Sequence, residues 1–181
     1  AYSFMITAYG YRWIETIADR PPTDPGRFMA VLSGLGRDYG RAFFQRAEEA
    51  SRSYRAGTYL ACCAMAGAAA EAVLLSVAAE KEGSEDAALQ EYRKASGRKN
   101  ITDRILHGIG GTLRENFLTL SGVITYWRDE AGHGTATMIS EVEASFALTR
   151  LLRFAQLTHD NWGELTLSRH RSPEEPRRSA V

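Results

Sequence analysis

The chain has 181 residues, 44% of them hydrophobic, and balances 22 Lys plus Arg against 22 Asp plus Glu. That length suits one domain burying roughly 70% of its unfolded surface. A formal charge of zero excludes a global electrostatic attraction to nucleic acid. Any contact with RNA or DNA has to come from a local basic patch or from assembly of copies.

Apart from three Lys, the basic residues are all Arg, a bias read as genome composition rather than as selected phosphate recognition. Cys62 and Cys63, the only cysteines, are adjacent in an apolar run. Neighbours of that kind make a poor structural disulfide and lack metal-ligand spacing, so they are expected as small buried hydrophobes in a reducing, cytoplasmic compartment. The start Ala1-Tyr2-Ser3-Phe4 has no basic n-region or cleavage site, so no signal peptide is expected. The absence of an initiator Met is what trimming or a larger parent protein would leave.

In chain order, Tyr2 to Asp19 is aromatic and can form a helix, with Tyr2, Tyr9 and Tyr11 packing on the bundle or on a partner. The run Arg20 to Gly26, with three prolines, breaks it. Asp24 then caps a helix with Pro25 at its first position. That helix is expected to reach Arg55, bent near Gly34 and Gly36. Its second half sets Arg37, Arg41, Arg46, Arg52 and Arg55 against Asp38, Glu48 and Glu49, a mildly basic solvated face.

Tyr59 to Ala79 is apolar and small on every side, with Glu71 its one ionisable residue. The length would just span a bilayer. Its Ala content is only weakly hydrophobic, and Glu71 would cost about 2.5 kcal/mol or more in lipid. The expectation is the central helix of a bundle, outside any membrane. Glu80 to Gly97 reads as a solvated edge helix ended by Gly97. Asn100 to His107 reads as a short helix closed by Gly108-Ile109-Gly110-Gly111. These glycines lack the Lys-Ser/Thr of a phosphate loop, and no strand precedes them.

Thr112-Leu113-Arg114-Glu115 has the pattern of a capping box. The helix it opens places Leu113, Phe117, Leu120, Ile124, Trp127 and Ala131 on one stripe, and Gly132 and Gly134 should end it. A second capping box, Ser140 to Glu143, opens a last long helix with Ala144, Leu148, Leu151 and Ala155 inward. The fold expected is all-α: an up-down helical bundle of about four main helices with short accessory helices. Residues 1–167 form its single domain, and 168–181 a polar tail expected to be disordered.

The end of the penultimate long helix, Arg128-Asp129-Glu130-Ala131-Gly132-His133, carries a chemical pairing. An imidazole is the side chain most easily poised for proton transfer near neutral pH. A guanidinium holds the charge that develops on a phosphate. Together they suit RNA cleavage without metal, His133 taking the proton of a ribose 2′-hydroxyl that attacks the adjacent phosphorus. Residues five apart on an ideal helix point about 140° apart. Arg128 and His133 converge only if the helix breaks at Gly132 or if two copies share one groove.

The segment Trp127 to Gly134 closely resembles the R-x4-6-H motif of the HEPN superfamily, and Ala131-Gly132-His133 is similar to the "AGH" version of several uncharacterised bacterial HEPN-like families. The polar position after the Arg is filled by Asp129, and the motif lies near a helix junction. The resemblance spans roughly residues 50 to 160, with Glu71 on a helix like those of such families. It implies a metal-independent endoribonuclease acting as a homodimer, in a toxin–antitoxin or phage-defence role, with an antitoxin or defence-complex partner. In that frame His133 is base or acid, Arg128 the phosphate stabiliser and Asp129 an orienting residue. Glu71 is a supporting carboxylate behind Arg128 or His133, or else the partner of Arg104, Arg114 or Arg153. No cofactor and no metal are implied. Thr135 departs from the Tyr found two residues after the motif His in toxins paired with nucleotidyltransferase antitoxins. The alternative is a catalytically silent HEPN-like module that binds a nucleotide or partner. His107, His159 and His170 lack ligand spacing and read as helix-end or surface residues, and Trp162 as packing for the last helix end.

Overall fold

The computed structural model describes the backbone of residues 25–132 and 138–167, and their side chains except Pro25 and 123–132. Among these residues eight helices and no strand are present. They are α1 (Pro25–Gly34), α2 (Arg41–Arg55), α3 (Tyr59–Glu82), α4 (Glu85–Tyr92), α5 (Gly97–Ile105), α6 (Gly111–Gly132), α7 (Glu141–Asp160) and α8 (Trp162–Thr166). The all-α reading holds, with α2, α3, α6 and α7 as the main helices.

Helix α3 is the hub. It packs against α2, α4, α5, α6, α7 and α8. Cys62, Cys63, Ala66, Gly67, Ala69, Ala70, Ala72, Val73, Leu74, Val77 and Ala78 are buried along it. Small side chains let several helix axes come close at once, which a Leu-rich helix would prevent. The helix is also long and apolar enough to span a bilayer by length and composition. Burial pushes both thiols up to about 12, Cys63 with a further push from Glu143 and Cys62 from Cys63. They are packing groups rather than nucleophiles.

Polar contacts fix the helix directions. The Tyr39 hydroxyl, ahead of α2, donates to Ala155 O at 2.7 Å and lies 2.8 Å from Thr158 Oγ1, near the end of α7. At the other end Tyr54 donates to Glu141 Oε1 at 3.1 Å, joining the end of α2 to the start of α7. Cys62 Sγ contacts Ala144 O, so α3 and α7 start at the same end. Lys81 Nζ, near the end of α3, donates to Ile105 O at 3.0 Å and Leu165 O at 3.1 Å. Its charge satisfies carbonyls at the ends of α5 and α8, where a cation meets the negative end of a helix. Arg114 donates to Leu106 O at 3.0 Å and ties the start of α6 to the same end. The main helices therefore alternate up and down.

Three local expectations are corrected. The helix expected through Arg55 is interrupted, not bent: Gly36 and Gly40 adopt φ of 68° and 86° between α1 and α2, a left-handed backbone that no continuing helix tolerates. Gly97 opens α5 instead of closing the edge helix, and Gly83, at φ 68°, ends α3. Thr112 lies inside α6, which begins at Gly111, so it does not take the N-cap position. The second capping box is present: Ser140 Oγ accepts from Glu143 N at 3.3 Å, and Glu143 Oε2 accepts from Ser140 N at 2.8 Å. The inward residues Ala144, Leu148, Leu151 and Ala155 are buried as expected. The expected N-terminal helix, Asp24 as a cap and the polar tail lie outside the described residues.

Gly97 is buried with no room for a side chain. A Cβ there would overlap the backbone carbonyls of Glu91 and Tyr92. Gly97→Ala is expected to destabilise the protein by about 2 kcal/mol, as overpacking against rigid backbone does. Urea denaturation checks it, and an unchanged midpoint would contradict it.

Candidate functional site

The Arg128 segment lies at the bundle end where α2 finishes and α3 and α7 begin. Helix α6 is described as far as Gly132, and Arg128 and Asp129 lie in the last turns of that described stretch. The expected helix end at Gly132 and Gly134 falls at the edge of the described residues. His133, the next residue on, lies outside the described residues, as does Thr135. The other half of the junction is firmly built. The capping box fixes the start of α7, and its hydrogen bonds hold the Glu143 carboxyl below its usual range. Tyr54 clamps that start to α2; burial, then the hydrogen bond to Glu141, raises its phenol above the usual value.

Glu71 sits half-buried near the middle of α3 and is not without a partner. Two of the arginines expected as alternatives for it are engaged elsewhere. Arg104 bridges Glu82 at 2.8 Å and Glu91 at 3.2 Å, and Arg114 holds the Leu106 carbonyl. His107 is exposed and His159 lies in the last turn of α7, as expected of helix-end residues, while His170 lies outside the described residues. Trp162 packs edge-on against Tyr39 and carries the Arg37 guanidinium over its ring at 4.2 Å.

The structure adds features that the sequence pattern left unmarked. Along α7 and in the segment just ahead of it, Met138, Val142 and Phe146 are exposed at intervals of four, Val142 by 73% and Phe146 by 59%. The Arg150 guanidinium lies 5.5 Å over the Phe146 ring. Spacing alone could have found this stripe, which lies on the opposite side of α7 from the core positions. At the other end of the bundle a cleft of about 810 Å³ opens between the start of α2, the second half of α3 and α4. Arg41 and Arg46 line it together with Asp38, Glu80 and Glu85. Its three carboxylates outnumber its two guanidiniums, and it shares no lining residue with the α6–α7 junction.

No protein-family model, curated protein or solved structure matches this chain. A functional reading therefore rests on the residues and their placement.

Proposed function

We propose that this protein is a HEPN-like, metal-independent endoribonuclease that acts as a homodimer, as a toxin or phage-defence effector in the cytoplasm. Supporting the reading, α6 carries Arg128 to the end of the bundle where α2 finishes and α7 begins. A helix break at Gly132 would remove the roughly 140° divergence between Arg128 and His133 that an unbroken helix would impose. In the proposed reaction His133 removes the 2′-hydroxyl proton of a ribose, and the 2′-oxygen attacks the neighbouring phosphorus. The bond to the 5′-oxygen breaks, that oxygen takes a proton, and a 2′,3′-cyclic phosphate remains. Arg128 holds the phosphoryl oxygens as charge grows on them, and Asp129 orients the pair. Glu71 supports them from α3.

The exposed stripe on α7 supports the dimer. A helix face with Val142 and Phe146 in water is what a partner would cover. It also complements itself. Two copies laid antiparallel would pair their Phe146 rings and set Val142 of one opposite Arg150 of the other, as a two-fold axis requires. An antitoxin or defence-complex partner would bind the same end of the bundle. The 810 Å³ cleft favours a second reading, a catalytically silent module that binds a nucleotide or partner.

Purified protein is expected to cut labelled RNA in EDTA, and His133→Ala and Arg128→Ala each to slow cutting about 100-fold or more. Equal cutting by wild type and both variants would contradict the assignment; no cutting by wild type would favour the silent module. Phe146→Glu is expected to give monomers in sedimentation equilibrium, because a carboxylate would be buried at the two-fold axis. A dimer unchanged by it would move the interface elsewhere.

A further inference from the structure

Arg93, Lys94, Arg98 and Lys99 fall within seven residues at the turn between α4 and α5, and hold two of the chain's three lysines. Such a run usually disappears into ion pairs. Here the pairing is selective. Glu91 takes Lys94 at 2.7 Å and Arg104 at 3.2 Å, and accepts from Asn100 Nδ2 at 2.9 Å. These contacts, led by Lys94, hold its carboxyl down to about 2, so it stays ionised and occupied wherever RNA is intact. Among the described residues Arg93, Arg98 and Lys99 have no ion-pair partner.

Arg98 and Lys99 also sit in the first turn of α5, which has no acidic residue and no side-chain cap. Cations there face the positive end of the helix, the reverse of the stabilising arrangement. A bound anion would relieve both the repulsion and the open backbone donors. The two side chains line a groove of about 330 Å³ with Thr102, Leu118, Ser121 and Gly122. Asp103 is the one carboxylate on its wall, so these walls carry a net charge of +1. The volume lies at the small end of ligand clefts, matched to one sugar-phosphate unit rather than a duplex.

The far wall of this groove is α6. Ser121 and Arg128 are seven residues apart on that helix, two turns along one face, or about 10.5 Å. The groove and the proposed site therefore share one track along α6. We infer that the α4–α5 turn and its groove hold the phosphate backbone of single-stranded RNA, a few nucleotides from the phosphate to be cut. The choice of RNA rests on the ribonuclease reading. The patch also answers how a chain of zero net charge can hold a polyanion.

The test is binding of a fluorescent single-stranded RNA oligonucleotide by full-length His133→Ala, with and without Arg98→Ala and Lys99→Ala, across a salt series. The added pair is expected to weaken binding about tenfold. It should reduce the slope of log K against log salt by about 1.4, for two phosphate contacts. Arg98→Lys, which keeps the charge, is expected to retain the slope, and separates charge from fold. Equal affinity and slope with and without the pair would overturn the proposal. So would a parent that binds no RNA. Cleavage by the wild type, scored separately in EDTA, decides the ribonuclease reading whichever way the patch falls.

Discussion

Helix α3 can touch its neighbours on every side because its side chains are small. Ala66, Gly67, Ala69, Ala70 and Ala72 are buried in succession, and each lets an adjacent helix axis approach more closely than a Leu would. Apolar transfer per residue is modest for Ala, so close packing and its dispersion contacts have to carry more of the stability. Lys81 completes the arrangement by holding the ends of α5 and α8 to the end of α3. Both partners of the candidate junction, α6 and α7, rest on α3. The position of their shared end follows from α3 more than from any contact between the two.

At that end α7 has a rigidly capped start. The Ser140–Glu143 box opens α7 at Glu141, nine residues after Gly132, the last residue described in α6. Tyr54 fixes the start of α7 against α2. In the proposed enzyme the exposed α7 stripe and the basic α4–α5 turn serve the same site from two directions. One would bring a second copy, and the other would bring the polyanion.

Periodicity made the long helices legible. The inward stripe of α7 and the all-round apolar α3 follow from spacing and composition. Glycine was the weak point, because its letter does not say which property is used. Gly36 and Gly40 supply a left-handed backbone that ends a helix, where a bend is the milder expectation. Gly97 supplies the absence of a Cβ at a close backbone approach, which only the tertiary structure reveals. Thr112 satisfies the capping-box pattern, yet the helix starts one residue before it. The basic turn was hidden for a different reason. Arg93, Lys94, Arg98 and Lys99 look balanced beside nearby acids until the structure shows that Glu91 is spent on Lys94, Asn100 and Arg104. Arg128, Asp129 and His133 stand as candidates on their spacing and on a family resemblance, and His133 lies outside the described residues.

The central claim is that a ribose 2′-oxygen is the attacking group at the phosphate held by Arg128. The most direct measurement compares two oligonucleotides of one sequence in EDTA, all-ribose and with a single 2′-deoxy residue at the mapped cleavage position. The account predicts cutting of the first, leaving a 2′,3′-cyclic phosphate, and no cutting of the second at that position. Cutting at the 2′-deoxy position would contradict it, because the nucleophile would then have to be something other than the neighbouring ribose.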